Sequence, residues 1–163
     1  MIAIVAVYSD WGIGADGTQP IALSADRKYF REATKGACVI VGKRTMADFP
    51  GGRPLPKRVN LVMTRSDAEI PGAILVHSVE EALEAAKEYE KVMVIGGATV
   101  YKALLPYCDE ALVTKVEAQP ESDVFFPNLD ESPEWECADP GIRGEEEGIG
   151  YRFCRYIRRR NGD

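Results

Sequence analysis

Six short stretches of this chain are largely apolar: Ile2 to Tyr8, Ala37 to Gly42, Val59 to Met63, Ala73 to Val76, Val92 to Ile95 and Glu110 to Val116. Several lack the alternation that gives a strand one wet face, so they fit the middle of a sheet covered on both sides, which is typically a mostly parallel one. Parallel neighbours need crossover connections. Helical patterns fall where those crossovers belong: after Ser24, around Thr45, from Ser78 to Tyr89 and from Gly97 to Leu104. Ser78 and Glu81 have the spacing of a capping box. An α/β protein is expected. Beyond Pro120 the pattern changes. Trp135 to Ala138 and Tyr151 to Ile157 suggest an antiparallel hairpin closing one edge, and no linker or repeat divides residues 1–163, which read as one domain.

A chain of 163 residues removes roughly 70% of its unfolded surface from water, so it needs no disulfide or metal staple. Its formal net charge of -6 disfavours nucleic acid as a partner, since neutralising phosphates takes a basic field. Arg158-Arg159-Arg160 reads as a solvated tail, and Glu145-Glu146-Glu147, bracketed by Gly144 and Gly148, as an exposed hairpin loop. Cys38, Cys108, Cys137 and Cys154 are scattered without a C-x-x-C pair and read as free core thiols, pointing to a reducing, cytoplasmic setting. His77 is the one histidine, which excludes a zinc cluster of histidines and a His-dependent triad, so no metal site is expected. The apolar run from Met1 to Tyr8 is too short for a membrane span and has no basic leader.

The candidate chemistry lies at junctions. Val92 to Ile95 breaks into Gly96-Gly97 and then Ala98 to Leu104, reading as strand, tight turn and helix. Glycines there permit unusual backbone angles and close ligand approach, and the helix start offers free N–H groups; a plain permissive turn fits equally well. The Ser9 to Leu23 loop, with Gly12, Gly14, Gly17 and Pro20 among Trp11, Ile13 and Ile21, reads as a lid or an irregular cover. Pro50 to Arg58 is stiffened by three prolines and delivers cations that either clamp an anion or face water. Asp26 shares a helix face with Phe30 and Ala33. An acid there either serves the helix dipole or meets a cationic or amidine-like ligand edge.

Taken in order, Ile2 to Val7, Trp11-Gly12-Ile13-Gly14, Leu23-Ser24-Ala25-Asp26 with Tyr29-Phe30, and Val39 to Thr45 form the first half of a pattern. Arg53 to Asn60, Val94 to Tyr101, Asp123 to Pro127 and Trp135 complete it. Jointly these motifs resemble the dihydrofolate reductase family over nearly the whole chain. The resemblance implies a three-layer fold: a central, mostly parallel eight-stranded sheet with a C-terminal antiparallel hairpin and flanking helices. It also implies a monomer that reduces 7,8-dihydrofolate with NADPH and binds antifolate inhibitors.

The same resemblance assigns residues. Asp26 would hold the pterin N3 and 2-amino group, Thr114 would support it, and Tyr101 would approach the reaction centre. Val5, Ala6, Phe30, Phe49, Leu55 and Ile95 would line the substrate cleft, and Arg58 would pair with the glutamate α-carboxylate. Ala6, Ile13, Gly14 and Ile95 would flank the nicotinamide; Gly42, Lys43, Arg44 and Thr45 would face the pyrophosphate; Thr64 and Arg65 would hold the 2′-phosphate. Gly96, Gly97, Ala98, Thr99, Val100 and Tyr101 would complete the cofactor site. On this reading the phosphates belong to Gly42–Thr45 and Arg65, whereas the glycine pair shapes the boundary between cofactor and substrate through a cis peptide. Three positions depart from the family pattern: Ile21 stands for a usual tryptophan or leucine, Ser24 for a common proline, loosening the helix entrance, and Thr99 for a frequent basic residue. Rival readings are a same-fold NADPH reductase of a riboflavin-pathway pyrimidine and a non-catalytic nucleotide-binding protein.

Overall fold

The computed structural model describes residues 1–15 and 19–159. Its elements in chain order are β1 (Ile2–Val7), β2 (Gly12–Gly14), α1 (Ser24–Thr34), β3 (Cys38–Gly42), α2 (Lys43–Ala47), β4 (Val59–Met63), β5 (Ala73–Val76) and α3 (Val79–Ala86). Then follow β6 (Val92–Gly96), α4 (Ala98–Leu104), β7 (Glu110–Val116), β8 (Val124–Phe125), β9 (Trp135–Asp139), β10 (Gly144–Glu146) and β11 (Ile149–Arg158). The main sheet runs β10-β11-β7-β1-β6-β3-β4-β5. From β7 to β5 every pairing is parallel, while β11 is antiparallel to β7 and β10. The expected eight strands lie along this path, and β9 joins as a ninth on β11. Since β7 takes one edge of β11, β9 and β10 share the other, at opposite ends.

The uninterrupted apolar runs are explained by two cores. On one face Ala3, Val5, Val7, Ile40, Leu61 and Val94 meet Ala82 and Ala86 of α3 and Val100 and Leu104 of α4. On the other Ile4, Val39, Val41, Val62, Met93 and Ile95 meet Tyr29, Phe30 and Ala33 of α1 and Met46 of α2. Successive strand residues therefore bury themselves on opposite faces, each contributing about 1.5–3 kcal/mol where fully enclosed. The capping box also forms: Ser78 Oγ accepts from the Glu81 N–H, while the Glu81 carboxylate reaches one residue further back, to the His77 N–H.

Some expectations change. β9 pairs antiparallel with β11 as expected, but the tight turn of the hairpin is Glu147-Gly148, both with positive φ (48° and 82°), and it joins β11 to the additional strand β10. Of the glutamate run, only Glu147 is in the turn; Glu146 is a strand residue whose carboxylate is engaged elsewhere. Arg158 is no solvated tail. It donates to the carbonyls of Cys108 and Leu105 and lies over the Trp135 ring, and Arg159 donates to Trp135 O; Arg160 lies outside the described residues. Cys38, Cys108 and Cys154 are buried free thiols as expected, but Cys137 on the edge strand β9 is exposed. Within the Ser9–Leu23 loop, β2 pairs with β8 and is thus ordered structure, while Gly17 lies outside the described residues. Among the described residues, no helix is long and apolar enough to cross a membrane.

Candidate active site

Parallel β1, β6, β3 and β4 end at one edge of the sheet, where ligands of open α/β sheets bind. The residues anticipated from sequence cluster there: Ala6 on β1, Ile95 and Gly96 on β6, Gly42 on β3, and Thr64 just past β4. Gly96 and Gly97 are joined by a cis peptide, as the resemblance implied, and Gly96 has φ of 124°, which only glycine adopts freely. The packing around this turn is close. A Cβ on Gly97 would sit 2.8 Å from Thr45 Oγ1, and one on Gly42 would lie 3.2 Å from Val100 Cγ2.

Tyr101 braces the turn from below. Its ring lies against Gly96, and its hydroxyl donates to the Ile4 carbonyl at 2.6 Å with the side chain 6% exposed. Burial pushes the phenol's pKa up, with the Asp26 charge adding to the effect. The proton is committed to the Ile4 carbonyl, so Tyr101 ties α4 to β1 beside the glycine turn it was expected to approach from.

Asp26 lies in the first turn of α1, and its Oδ1 accepts from Thr114 Oγ1 at 2.6 Å. Thr114 is 1% exposed and stands opposite Ala6 in the β1–β7 register, with Val5 opposite Val113. This contact ties helix to sheet across 88 residues. Burial raises the Asp26 pKa, and the Thr114 bond lowers it in part. On the same face of the sheet as α1, Phe30, Phe49, Leu55 and Ile95 join one apolar cluster.

Arg58 is less free than expected. It donates through Nε to Thr34 Oγ1 (2.9 Å), through one terminal nitrogen to Pro56 O (2.7 Å) and through the other to Arg31 O (3.2 Å). Two of its five N–H groups thus hold the C-terminal end of α1, a third holds the loop before β4 at Pro56, and two remain for a ligand. Burial and the Arg31 charge both lower its pKa.

On the cofactor side, Gly42 and Gly97 precede α2 and α4 without any side-chain cap, so the first amide N–H groups of both helices are available at the sheet edge. Lys43, Arg44, Arg65 and Thr99 are exposed nearby in sequence, with Thr45, Ala98 and Thr64 partly buried. Thr64 Oγ1 accepts from the Ser66 N–H, and the Thr64 carbonyl faces His77 Nδ1 at 2.8 Å. Backbone N–H groups, cations and a glycine wall without protruding side chains are the donor set an anionic dinucleotide requires. Ile13 and Gly14 sit on β2, fixed by the Asp123 N–H bond to Gly14 O.

Three contributors escaped the sequence reading. The Tyr8 hydroxyl donates to Ile21 O (2.9 Å) and accepts from Ile21 N (3.0 Å), pinning the entrance to α1. Asn60 laces the loop before β4 to the sheet through Leu55 and Arg58. Its signal was legible as one amide within Val-Asn-Leu-Val-Met. Glu146 caps α1 and left no signal, since its partners lie across the fold.

Parallel strands ending beside glycine-preceded helix starts, with a recessed acid across the edge, define a nucleotide-binding α/β enzyme. The dihydrofolate reductase family model matches residues 1–158. Dihydrofolate reductase of Haemophilus influenzae is 36% identical over 154 residues, covering 94% of both chains. That of Bacillus subtilis is 36% identical over 156 residues, covering 94% of this chain and 91% of its own. A solved structure of the Enterococcus faecalis enzyme, complexed with NADP(H) and RAB-propyl, superposes with a TM-score of 0.87 at 36% identity, covering 98% of this chain and 96% of that one. The chain belongs to the dihydrofolate reductase family.

Proposed function

We propose that this chain reduces 7,8-dihydrofolate to 5,6,7,8-tetrahydrofolate with NADPH. The observation that carries the reading is Asp26, a partly buried acid whose carboxylate is held by the buried Thr114. NADPH supplies the hydride that reaches C6 of the pteridine. Gly42, Lys43, Arg44, Thr45, Thr64, Arg65 and the Gly96–Tyr101 segment hold the dinucleotide, with Ala6, Ile13, Gly14 and Ile95 around its nicotinamide.

The chain's own residues bind and orient the substrate. Asp26 accepts hydrogen bonds from the pterin N3 and 2-amino group, a bidentate match that favours the tautomer able to take hydride. Thr114 keeps the carboxyl aimed along the cleft. From this edge a carboxylate cannot reach N5, so a water delivers the N5 proton, with Asp26 acting through the ring's electronics. Phe30, Phe49 and Leu55 pack the pteridine and aminobenzoyl groups against Val5 and Ile95, and the two remaining N–H groups of Arg58 pair with the glutamate α-carboxylate. The same acid supports binding of protonated antifolate heterocycles. The four free cysteines support a reducing, cytoplasmic setting, and we infer a monomeric single domain.

The test follows NADPH absorbance after adding dihydrofolate. A fall in absorbance with the parent chain, and little fall with Asp26→Asn despite retained NADPH binding, is the expected pair of results. Binding of NADPH without turnover by the parent would favour the non-catalytic reading; near-normal turnover by the variant would remove Asp26 from its role.

A further inference from the structure

The first turn of α1 is capped from the far end of the chain. Glu146 Oε2 accepts the Ser24 N–H at 2.8 Å and Oε1 accepts the Ala25 N–H at 3.0 Å, across 122 and 121 residues of sequence. The local sequence offers no substitute: the residue preceding the helix is Leu23, buried and without a capping atom. A helix start leaves its first N–H groups unpaired, and a carboxylate gripping two of them is favoured both by the bonds and by the helix dipole. Ser24 makes the grip possible, because a proline at that position would carry no N–H. The loosened entrance expected at Ser24 is therefore instead a clamped one.

Further contacts tie the same two regions together. Leu23 and Ile21 pack with Val116, Ile149 and Tyr151, and Tyr29 of α1 stacks on Phe153 of β11 with centroids 4.1 Å apart. Phe153 lies opposite Thr114 in the β11–β7 register. The β10–β11 hairpin thus controls both ends of the Asp26–Thr114 hydrogen bond: Thr114 through the sheet and α1 through Glu146.

We propose that Glu146 is a positioning residue for Asp26, fixing the first turn of α1 so that the acid stays bonded to Thr114 and aligned with the pterin cleft. The inference rests on Asp26 being the substrate-binding acid. Asp26 follows the two clamped amides directly, so freeing them loosens the turn that carries it.

The experiment compares the parent, Glu146→Ala, Ser24→Pro, the Ser24→Pro/Glu146→Ala double variant and Asp26→Asn. It reads kcat and KM for dihydrofolate, the NADPH Kd, and the titration of the Asp26 carboxyl by carbon-13 NMR. Glu146→Ala is expected to lose about tenfold in kcat/KM, the scale of one lost helix cap, with NADPH affinity unchanged. Its Asp26 titration should move down toward the ordinary carboxyl range, because a loosened turn lets water reach the acid, and burial is the larger of the two effects, outweighing the upward move from a weakened Thr114 bond. Ser24→Pro places its ring against the Glu146 carboxylate and should also lose activity. The double variant removes the clash while keeping a proline-stiffened helix start, so activity should recover. A stability loss in Glu146→Ala with kcat/KM and the Asp26 titration unmoved would overturn the proposal, as would simple addition of the two single losses in the double variant. Turnover surviving in Asp26→Asn refutes the reading of Asp26 itself, and this inference with it; turnover lost there but intact in Glu146→Ala refutes only the role of Glu146.

Discussion

Replacing Asn60 by alanine separates the support of the substrate cleft from the cleft itself. The Asn60 side chain is 2% exposed at the start of β4, and its three hydrogen bonds all go to the preceding loop. Oδ1 accepts from Leu55 N (3.0 Å), and Nδ2 donates to Leu55 O (2.9 Å) and Arg58 O (3.2 Å). At about 1 kcal/mol net for each bond, with water reaching part of the exposed loop afterwards, the loss is roughly 2–4 kcal/mol. For a chain of 163 residues that lowers Tm by roughly 5–15 °C. Calorimetry and urea titration measure this directly. The same change frees Leu55 and Arg58, so KM for dihydrofolate should rise about tenfold, as expected for about 1.4 kcal/mol of lost binding, while the NADPH Kd holds. A full stability loss with KM unchanged would refute the link between this loop and the folate cleft; no stability loss would refute the hydrogen-bond reasoning.

Arg58→Leu should raise KM for dihydrofolate more than it lowers kcat and should also lower Tm, because two of its N–H groups hold the end of α1 and a third holds the loop at Pro56; steady-state kinetics with a melting curve checks both. Thr114→Val removes the 2.6 Å bond to Asp26 with little change in volume, so the Asp26 titration measured by NMR should move up, the bond having lowered it. Asp26 itself is a raised carboxyl. Its contribution to stability is therefore present below the unfolded-state carboxyl pKa and lost as pH rises through the folded value, so Asp26→Asn should melt higher than the parent above that value and gain nothing in acid. Equal gains at both ends of a pH series of melting curves would contradict the desolvation argument.

Those strands buried on both faces were legible because an apolar run has few other uses. The limits of β4, β5 and β7 agree with expectation residue for residue, and Asp26 was marked by its place on an apolar helix face. The short β2 and β8 left no such trace, since three- and two-residue strands are too brief for any periodicity to register. The Glu146 clamp and the commitment of Arg58 were hidden for a different reason. Both join groups distant in sequence through side chains whose types say only that they are charged, and an acid in a Glu-rich hairpin reads as solvated until the helix it caps is seen beside it. Tyr101 stands beside the glycine turn where the resemblance put it, while its hydroxyl's bond to Ile4 O left no trace in sequence.

The placement of β1 also shapes how the chain is made. Ile2–Val7 is synthesised well before its neighbours in the sheet, β6 and β7. Until residues through Val116 have emerged, this apolar segment has no lasting partner and is open to capture by chaperones or by other nascent chains. The last residues of the sheet, in β11, then lock onto β7. The sheet therefore closes late in the order of synthesis, and a transcript cut short before β7 should yield an aggregating fragment instead of a smaller stable unit.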